Sequence, residues 1–193
     1  IAKLPTELGD FKIVSFENNL DGQEHVAIVK EWNKDDIPLV RIHSECFTGD
    51  TLSSLRCDCG SQLSKALQTI AEKGGVLLYL RQEGRGIGLA NKIQAYHLQD
   101  QGYDTYEANV QLGFKADERD YSVAYQMLRA LGVRELILLT NNPDKIKQLE
   151  AYGIKVIKTE RIFGRITNHN KFYLTTKLVK FNHTLKELLR GEV

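Results

Sequence analysis

From Gly60 onward this chain alternates short β-rich runs with amphipathic helical stretches, and that alternation restricts the folds open to it. Helical periodicity over 62–72 precedes a continuous apolar run at 75–80, and an amphipathic stretch at 89–101 follows. The pattern resumes with a helix over 121–131, a strand at 136–140, a helix over 143–152 and a strand at 154–158. Before Gly60 the texture differs: 11–16, 25–30 and 39–43 are short β-rich runs separated by Asn, Asp and Gly. Together these predict an α/β fold, with a mixed, partly parallel sheet flanked by helices and a strand-rich N-terminal portion. No low-complexity tract, repeat or Pro/Gly/Ser linker interrupts the 193 residues, so a single domain over 1–193 is expected.

Composition removes some function classes. A formal net charge of +1 gives no bulk electrostatic case for a nucleic-acid or membrane-surface partner. No apolar run approaches the roughly 20 residues of a membrane helix. The chain opens at Ile1 rather than Met, so the native protein is expected to extend further, and the residues present carry no signal-peptide pattern. Three cysteines, two of them one residue apart, make a poor disulfide framework and point to a reducing cytoplasm.

All three cysteines fall in one short stretch, with ten residues between Cys46 and Cys57 of the turn Arg56-Cys57-Asp58-Cys59-Gly60. Buried free cysteines are often small hydrophobes, but that reading predicts apolar neighbours. The neighbours here are Glu45, Asp50, Arg56 and Asp58. Thiolates are preferred zinc ligands, and three of them with no fourth protein ligand leave a coordination position open for catalysis. The formal charge of such a site is −1, which weakens the metal as a Lewis acid. A separate proton acceptor, a carboxylate or a tyrosine, is therefore expected nearby.

Two loops read as anion sites. After the run at 75–80 comes Arg81-Gln82-Glu83-Gly84-Arg85-Gly86-Ile87-Gly88, which matches neither the dinucleotide nor the Walker A fingerprint. It is either a tight turn or a phosphate cradle of backbone N–H groups supplemented by arginines. Thr140-Asn141-Asn142-Pro143-Asp144-Lys145 is a well-formed helix start in which Lys145 opposes the helix dipole, as a bound anion would explain. The charged run Asp117-Glu118-Arg119-Asp120 reads as a solvated loop or as the source of the acid–base group. Tyr96 reads equally as a core aromatic or a site residue.

The ordered blocks resemble GTP cyclohydrolase II, a zinc enzyme of riboflavin biosynthesis, over roughly residues 3 to 160. They are Arg41-Ile42-His43-Ser44-Glu45-Cys46 with Thr48-Gly49-Asp50, Arg56 to Gly60, Arg81 to Arg85 with Ile87-Gly88-Leu89, and Asn91-Lys92-Ile93 with Ala95-Tyr96. Leu98 to Asp100 with Gly102 to Thr105, Gly113-Phe114 with Asp117 to Arg119, and Leu139 to Pro143 follow in family order. The resemblance implies hydrolysis of GTP to formate, pyrophosphate and 2,5-diamino-6-hydroxy-4-(5-phosphoribosylamino)pyrimidine. It implies one zinc ion per subunit on Cys46, Cys57 and Cys59, Mg²⁺ chelated by the triphosphate, and a cytoplasmic homodimer. GTP contacts are implied for Arg41, Ile42, His43, Ser44, Glu45, Gln62, Glu83, Gly84, Arg85, Thr105, Thr140 and Lys145. Asp117 is the implied proton acceptor, Arg119 the implied nucleophile toward the α-phosphate, and Tyr96 an active-site tyrosine near the guanine C8. A guanidinium with its pKa above 12 is a poor nucleophile, so its own chemistry favours Arg119 as a charge clamp.

Toward the C-terminus the pattern departs, with Phe181-Asn182 standing where a Met-Gly pair is usual and 161–170 irregular. A dihydroxybutanone-phosphate synthase domain, a frequent fusion partner in the family, is absent from these residues. Two alternatives remain at this point. A paralogue of the same fold would stop at the formylated pyrimidine. A zinc-stabilised nucleic-acid-binding module would need a fourth ligand and a basic surface.

Overall fold

A computed structural model of the chain describes residues 1–181 and 183, so Asn182 of the divergent pair lies outside the described residues. The strands are β1 (Ala2–Thr6), β2 (Gly9–Phe16), β3 (His25–Lys30), β4 (Leu39–Ser44), β5 (Gly75–Leu80), β6 (Glu135–Leu139) and β7 (Lys155–Glu160). The α-helices are α1 (Cys59–Lys73), α2 (Leu89–Asp100), α3 (Thr105–Gln111), α4 (Ser122–Ala130), α5 (Pro143–Ala151) and α6 (Lys171–Lys180). Every expected element is present within a few residues. Elements β1, α3 and α6 are additions that the sequence reading lacks.

Two compact units emerge from the packing. One comprises Ile1–His43, Leu63–Arg81 and Asp120–Ile162; the other comprises Ser44–Gln62, Gln82–Arg119 and the described residues from Phe163.

The first unit carries the sheet, in the order β1-β2-β3-β5-β4-β6-β7. β1–β2, β2–β3 and β3–β5 pair antiparallel, whereas β4–β6 and β6–β7 pair parallel. The sheet is thus mixed. Pro5 has no N–H to donate to a ladder, which suits its place on the edge strand β1. Strand residues alternate between faces, and β5 and β6 are covered on both, hence their apolar runs; β4 is buried too but includes Arg41 and His43. Val40, Ile42, Val76, Leu78, Leu136 and Leu138 share one core with Val123, Ala124, Met127 and Leu128 of α4 and Leu149 of α5. Leu39, Leu77 and Leu139 share a second core with Ala66 and Ile70 of α1. Each fully buried leucine contributes about 2 kcal/mol of apolar transfer.

The second unit is built from α2, α3, α6, the first residues of α1 and the loops between them. The seven-residue helix α3 is too short to stand on propensity. Asp104 accepts from the Glu107 backbone N–H while the Glu107 carboxylate accepts from the Asp104 backbone N–H, a reciprocal cap that satisfies two end donors. Helix α6 is tied by a buried pair, Lys177 Nζ donating to Asp58 Oδ1 at 2.7 Å.

Gly75 opens β5 with φ of 135°, and a Cβ built there would lie 2.0 Å from the carbonyl oxygen of Leu39 on the neighbouring strand. No side-chain rotation relieves a clash with backbone. Gly75→Ala is expected to destabilise the protein by roughly 3 kcal/mol, read as a lower midpoint in urea denaturation. An unchanged midpoint would contradict this close approach of β5 to β4.

Candidate functional site

In the second unit, Cys46 leads into a single wide helical turn, Phe47–Thr51. Asp50 closes that turn from both sides: its N–H donates to the Cys46 carbonyl at 2.7 Å, and its carboxylate accepts from the Cys46 N–H at 3.0 Å. Cys57 and Cys59 come from the turn that starts α1. All three sulfurs lie within 4.8 Å of one another, with Cys46 Sγ and Cys57 Sγ 3.7 Å apart. That is far beyond the roughly 2 Å of a disulfide. Three converging thiols from two turns can hold a metal ion.

Gly49 makes this convergence possible. A Cβ at that position would lie 2.8 Å from the sulfur of Cys57 and 3.1 Å from that of Cys46. The backbone of the first turn thus forms a wall of the sulfur cluster that no side chain can share.

Hydrogen bonds from the Cys57 and Cys59 thiols hold Cys46 far below the ordinary thiol range; burial opposes this and the Lys92 charge assists it. Cys57 is pushed up to about 11, chiefly by its hydrogen bond with Cys46, and Cys59 is raised well above its usual value by both neighbours. Lys92 of α2 is buried, with Nζ 3.1 Å from Cys46 Sγ and 2.8 Å from Glu83 Oε1. Burial works against its charge, but the Cys46 thiolate and the Glu83 hydrogen bond raise its pKa and keep it an ammonium.

Glu83 couples the glycine loop to the cysteine turn. Its carboxylate accepts from the Phe47 N–H at 2.6 Å, from the Gly84 N–H at 2.7 Å and from Lys92. Tyr96 lies one helical turn beyond Lys92, its hydroxyl 3.2 Å from Thr48 Oγ1 and its ring 4.6 Å beneath the Arg56 guanidinium. Burial pushes the Tyr96 hydroxyl up, so it remains a neutral phenol near neutral pH. Tyr96 thus lies beside the cysteine cluster, since Thr48 Oγ1 is in turn 3.7 Å from Cys46 Sγ.

The glycine loop is strained at one ordinary residue. Arg85 has φ of 60°, a left-handed conformation that costs a side-chain-bearing residue about 1 kcal/mol or more. Its carbonyl accepts from the Glu118 N–H at 3.0 Å, bringing the charged run against the loop. There the Asp117 carboxylate accepts from the Arg119 backbone N–H at 3.1 Å, from Nε at 2.8 Å and from Nη2. Burial raises the Asp117 pKa, but the Arg119 hydrogen bonds and charge, aided by Arg85, outweigh it and hold the carboxyl below its ordinary 3.8. The Arg85 guanidinium lies 3.9 Å over the Phe181 ring, and its Nη1 is buried with no hydrogen-bond partner among the described residues.

The remaining expected residues divide between the units. In the second, Gln62 donates to the Asp58 carboxylate, Ser44 Oγ accepts from Gln82 at 3.4 Å, Glu45 is half-buried, and Thr105 is the first residue of α3. In the first, Arg41 donates to the Leu139 carbonyl at 3.0 Å and His43 stacks on Tyr79 at 5.5 Å. Thr140 Oγ1 accepts from the Asn142 N–H at 3.0 Å. Lys145, read from sequence as opposing the dipole of α5, has Nζ 2.7 Å from the Ile42 carbonyl and 5.4 Å from the Tyr121 ring centroid. A backbone carbonyl thus answers its charge.

Sequence reasoning counted Lys92, Thr48 and Gly49 only as members of matching blocks, and assigned no role to them or to the Asp58–Lys177 pair. Lys92 carried a usable signal: a cation in the first turn of a helix, against the dipole, as at Lys145. Gly49 carried none, because its reason is the meeting of two cysteine turns that only the folded backbone brings together.

Comparison with known proteins follows the same direction. The family model for GTP cyclohydrolase II matches residues 1–162. The riboflavin biosynthesis protein RibBA of Thermotoga maritima is 61% identical over 189 residues, covering 98% of this chain and 48% of that protein. GTP cyclohydrolase-2 of Aeromonas hydrophila is 55% identical over 188 residues, covering 96% of this chain and 95% of the relative. GTP cyclohydrolase-2 of Pseudomonas aeruginosa is 55% identical over 193 residues, covering 99% and 94%. The chain therefore spans about half the length of the RibBA relative and nearly all of the other two. A solved two-domain 3,4-dihydroxy-2-butanone 4-phosphate synthase, RibBX from A. baumannii, matches at a TM-score of 0.47 and 22% identity over 84% of this chain and 38% of that one, too slight a likeness to bear on fold or chemistry. With a family match across most of its length and near-complete alignment to two relatives, this chain belongs to the GTP cyclohydrolase II family.

Proposed function

We propose that this chain hydrolyses GTP to formate, pyrophosphate and 2,5-diamino-6-hydroxy-4-(5-phosphoribosylamino)pyrimidine, at the entry to riboflavin biosynthesis, with residues 1–193 acting as one GTP cyclohydrolase II domain. The observation that carries the reading is the cluster of Cys46, Cys57 and Cys59 around Gly49. A tetrahedral zinc with Zn–S bonds of about 2.3 Å spaces its sulfurs about 3.8 Å apart, and Cys46 and Cys57 are 3.7 Å apart. The all-sulfur donor set suits zinc better than a hard cation. Zinc held by Cys46, Cys57 and Cys59 would supply the Lewis acidity that water addition at the purine C8 and formamide hydrolysis call for.

The chain's own groups supply the rest. Asp117, kept ionised by Arg119, takes the proton of the attacking water. Arg119 serves as a charge clamp at the α-phosphate, because the paired carboxylate favours its cationic form. Tyr96, a neutral phenol beside Thr48, is a donor for the purine ring near C8. Arg85 has a buried nitrogen without a partner among the described residues, which favours an anionic ligand such as the triphosphate. Arg41, Ile42, His43, Ser44, Glu45, Gln62, Glu83, Gly84, Thr105, Thr140 and Lys145 complete the GTP-binding set. Family membership supports Mg²⁺ on the triphosphate, a homodimer and a cytoplasmic setting. Among the described residues no helix is long and apolar enough to cross a membrane.

Incubation with GTP is expected to release formate and pyrophosphate together, with Cys57→Ser abolishing formate release and metal retention. Full formate release by a rigorously metal-free sample would refute the zinc reading. Asp117→Asn is expected to lower kcat by on the order of 10²–10⁴-fold with metal content unchanged. Since the Asp117 carboxyl lies below its ordinary 3.8, the wild-type kcat/KM profile should show no acid limb from this group above about pH 5. Wild-type kcat in Asp117→Asn would remove it as the proton acceptor.

A further inference from the structure

The cysteine cluster brings a difficulty that the three sulfurs do not resolve themselves. A divalent ion on three thiolates leaves a net negative charge inside a largely buried pocket, and buried charge is costly unless it is paired and hydrogen-bonded. Lys92 sets an ammonium directly against this cluster. Lys92 Nζ is 3.1 Å from Cys46 Sγ, at hydrogen-bond distance for sulfur, and the side chain is buried. It reaches the sulfur from α2, a different element from either cysteine turn.

Its position is over-determined. Glu83 Oε1 takes another Nζ proton at 2.8 Å, while Glu83 itself is fixed by the Phe47 and Gly84 N–H groups. Phe47 is the residue after Cys46, so one carboxylate locks both the ammonium and the backbone that carries the sulfur. A Cβ on Gly84 would lie 3.1 Å from Lys92 Cβ, so the glycine loop also packs the stem of the lysine. Lys92 is thereby aimed at one sulfur of the three.

We propose that Lys92, oriented by Glu83, is a positioning residue of the metal centre. Its N–H donates to the Cys46 thiolate, draws electron density from that sulfur, and offsets the excess negative charge of the three-thiolate site. The ion is then bound more tightly and is a stronger Lewis acid than three thiolates alone would leave it. The inference rests on reading the cysteine cluster as a metal centre. Hydrogen-bond partners of this outer kind typically contribute 10–100-fold to metal affinity.

The test uses the purified chain with zinc and, for spectroscopy, cobalt(II). Lys92→Met and Lys92→Gln are expected to bind zinc about 10–100-fold more weakly in competition with a chromophoric chelator. Lys92→Arg, which keeps a charged donor, is expected to restore most of that loss. In the cobalt(II) forms, the sulfur-to-cobalt charge-transfer band should move to lower energy in Lys92→Met, because a thiolate stripped of its donor gives up an electron more readily. A merely structural lysine would not shift that band. Unchanged affinity and band position in Lys92→Met overturn the proposal while leaving the metal centre intact. An arginine variant as impaired as the methionine one overturns it too. So does failure of both neutral variants to fold without metal, which would make Lys92 a residue of the fold alone. If the wild-type chain takes up no cobalt and shows no charge-transfer band, the metal-centre reading itself falls.

Discussion

Packing three thiols within 4.8 Å of one another is the constraint on which the second unit depends. Close sulfurs repel once ionised, so the surrounding chain must supply hydrogen bonds, charge and room. Gly49 gives the room, because any side chain there would occupy the space of the Cys46 and Cys57 sulfurs. Lys92 gives the charge. Asp50 and Glu83 fix the first cysteine turn through its backbone N–H groups, so the position of Cys46 does not rely on side-chain packing alone.

The second cysteine turn is held differently. Asp58, between the two cysteines, is buried and points away from solvent into a pair with Lys177, while Gln62 donates to its other oxygen. Burial disfavours the Asp58 charge, yet the Lys177 ammonium and these hydrogen bonds outweigh it and hold its carboxyl low. Removing either partner from such a pair leaves an uncompensated buried charge, worth about 3–5 kcal/mol. Asn170 adds a donor to the Cys57 carbonyl at 3.3 Å. Helix α6 and the segment before it therefore buttress the turn that carries Cys57 and Cys59, a function that composition gives no reason to expect of this helix.

What was legible from sequence follows from the range of the interactions involved. Strands β3 and β5 were read with their observed bounds because both are short apolar runs flanked by turn formers. The cysteine triad was legible because its chemistry outweighs any single local conformation. Strand β1 escaped notice because Pro5 weakens its strand signal and its pairing with β2 is what makes it a strand. Helix α3 escaped because seven residues carry too little periodicity, and its support is the Asp104–Glu107 cap. Lys92 and Lys177 owe their roles to contacts with residues 46 and 119 positions away, and Gly49 to sulfurs 3 and 8 positions away that meet only when two turns fold together.

Arg85 shows why strain belongs at such a site. A left-handed arginine is a poor local choice, and the loop could relax by placing glycine there, as it does at 84 and 86. The side chain must therefore be needed where that backbone puts it. Phe181 covers one face of the guanidinium at 3.9 Å, and the Tyr173 ring lies 6.0 Å from it. Aromatic cover on a guanidinium face stabilises the cation without consuming the in-plane N–H donors. Phe181 thus limits the rotamers of the side chain without taking up its in-plane N–H groups. Phe181 is also the described member of the divergent pair, so the departure from the family pattern falls on the residue that braces this arginine. The conformational cost of the left-handed backbone at Arg85 is thus borne in folding, and the aromatic cover helps to hold the guanidinium where that backbone places it.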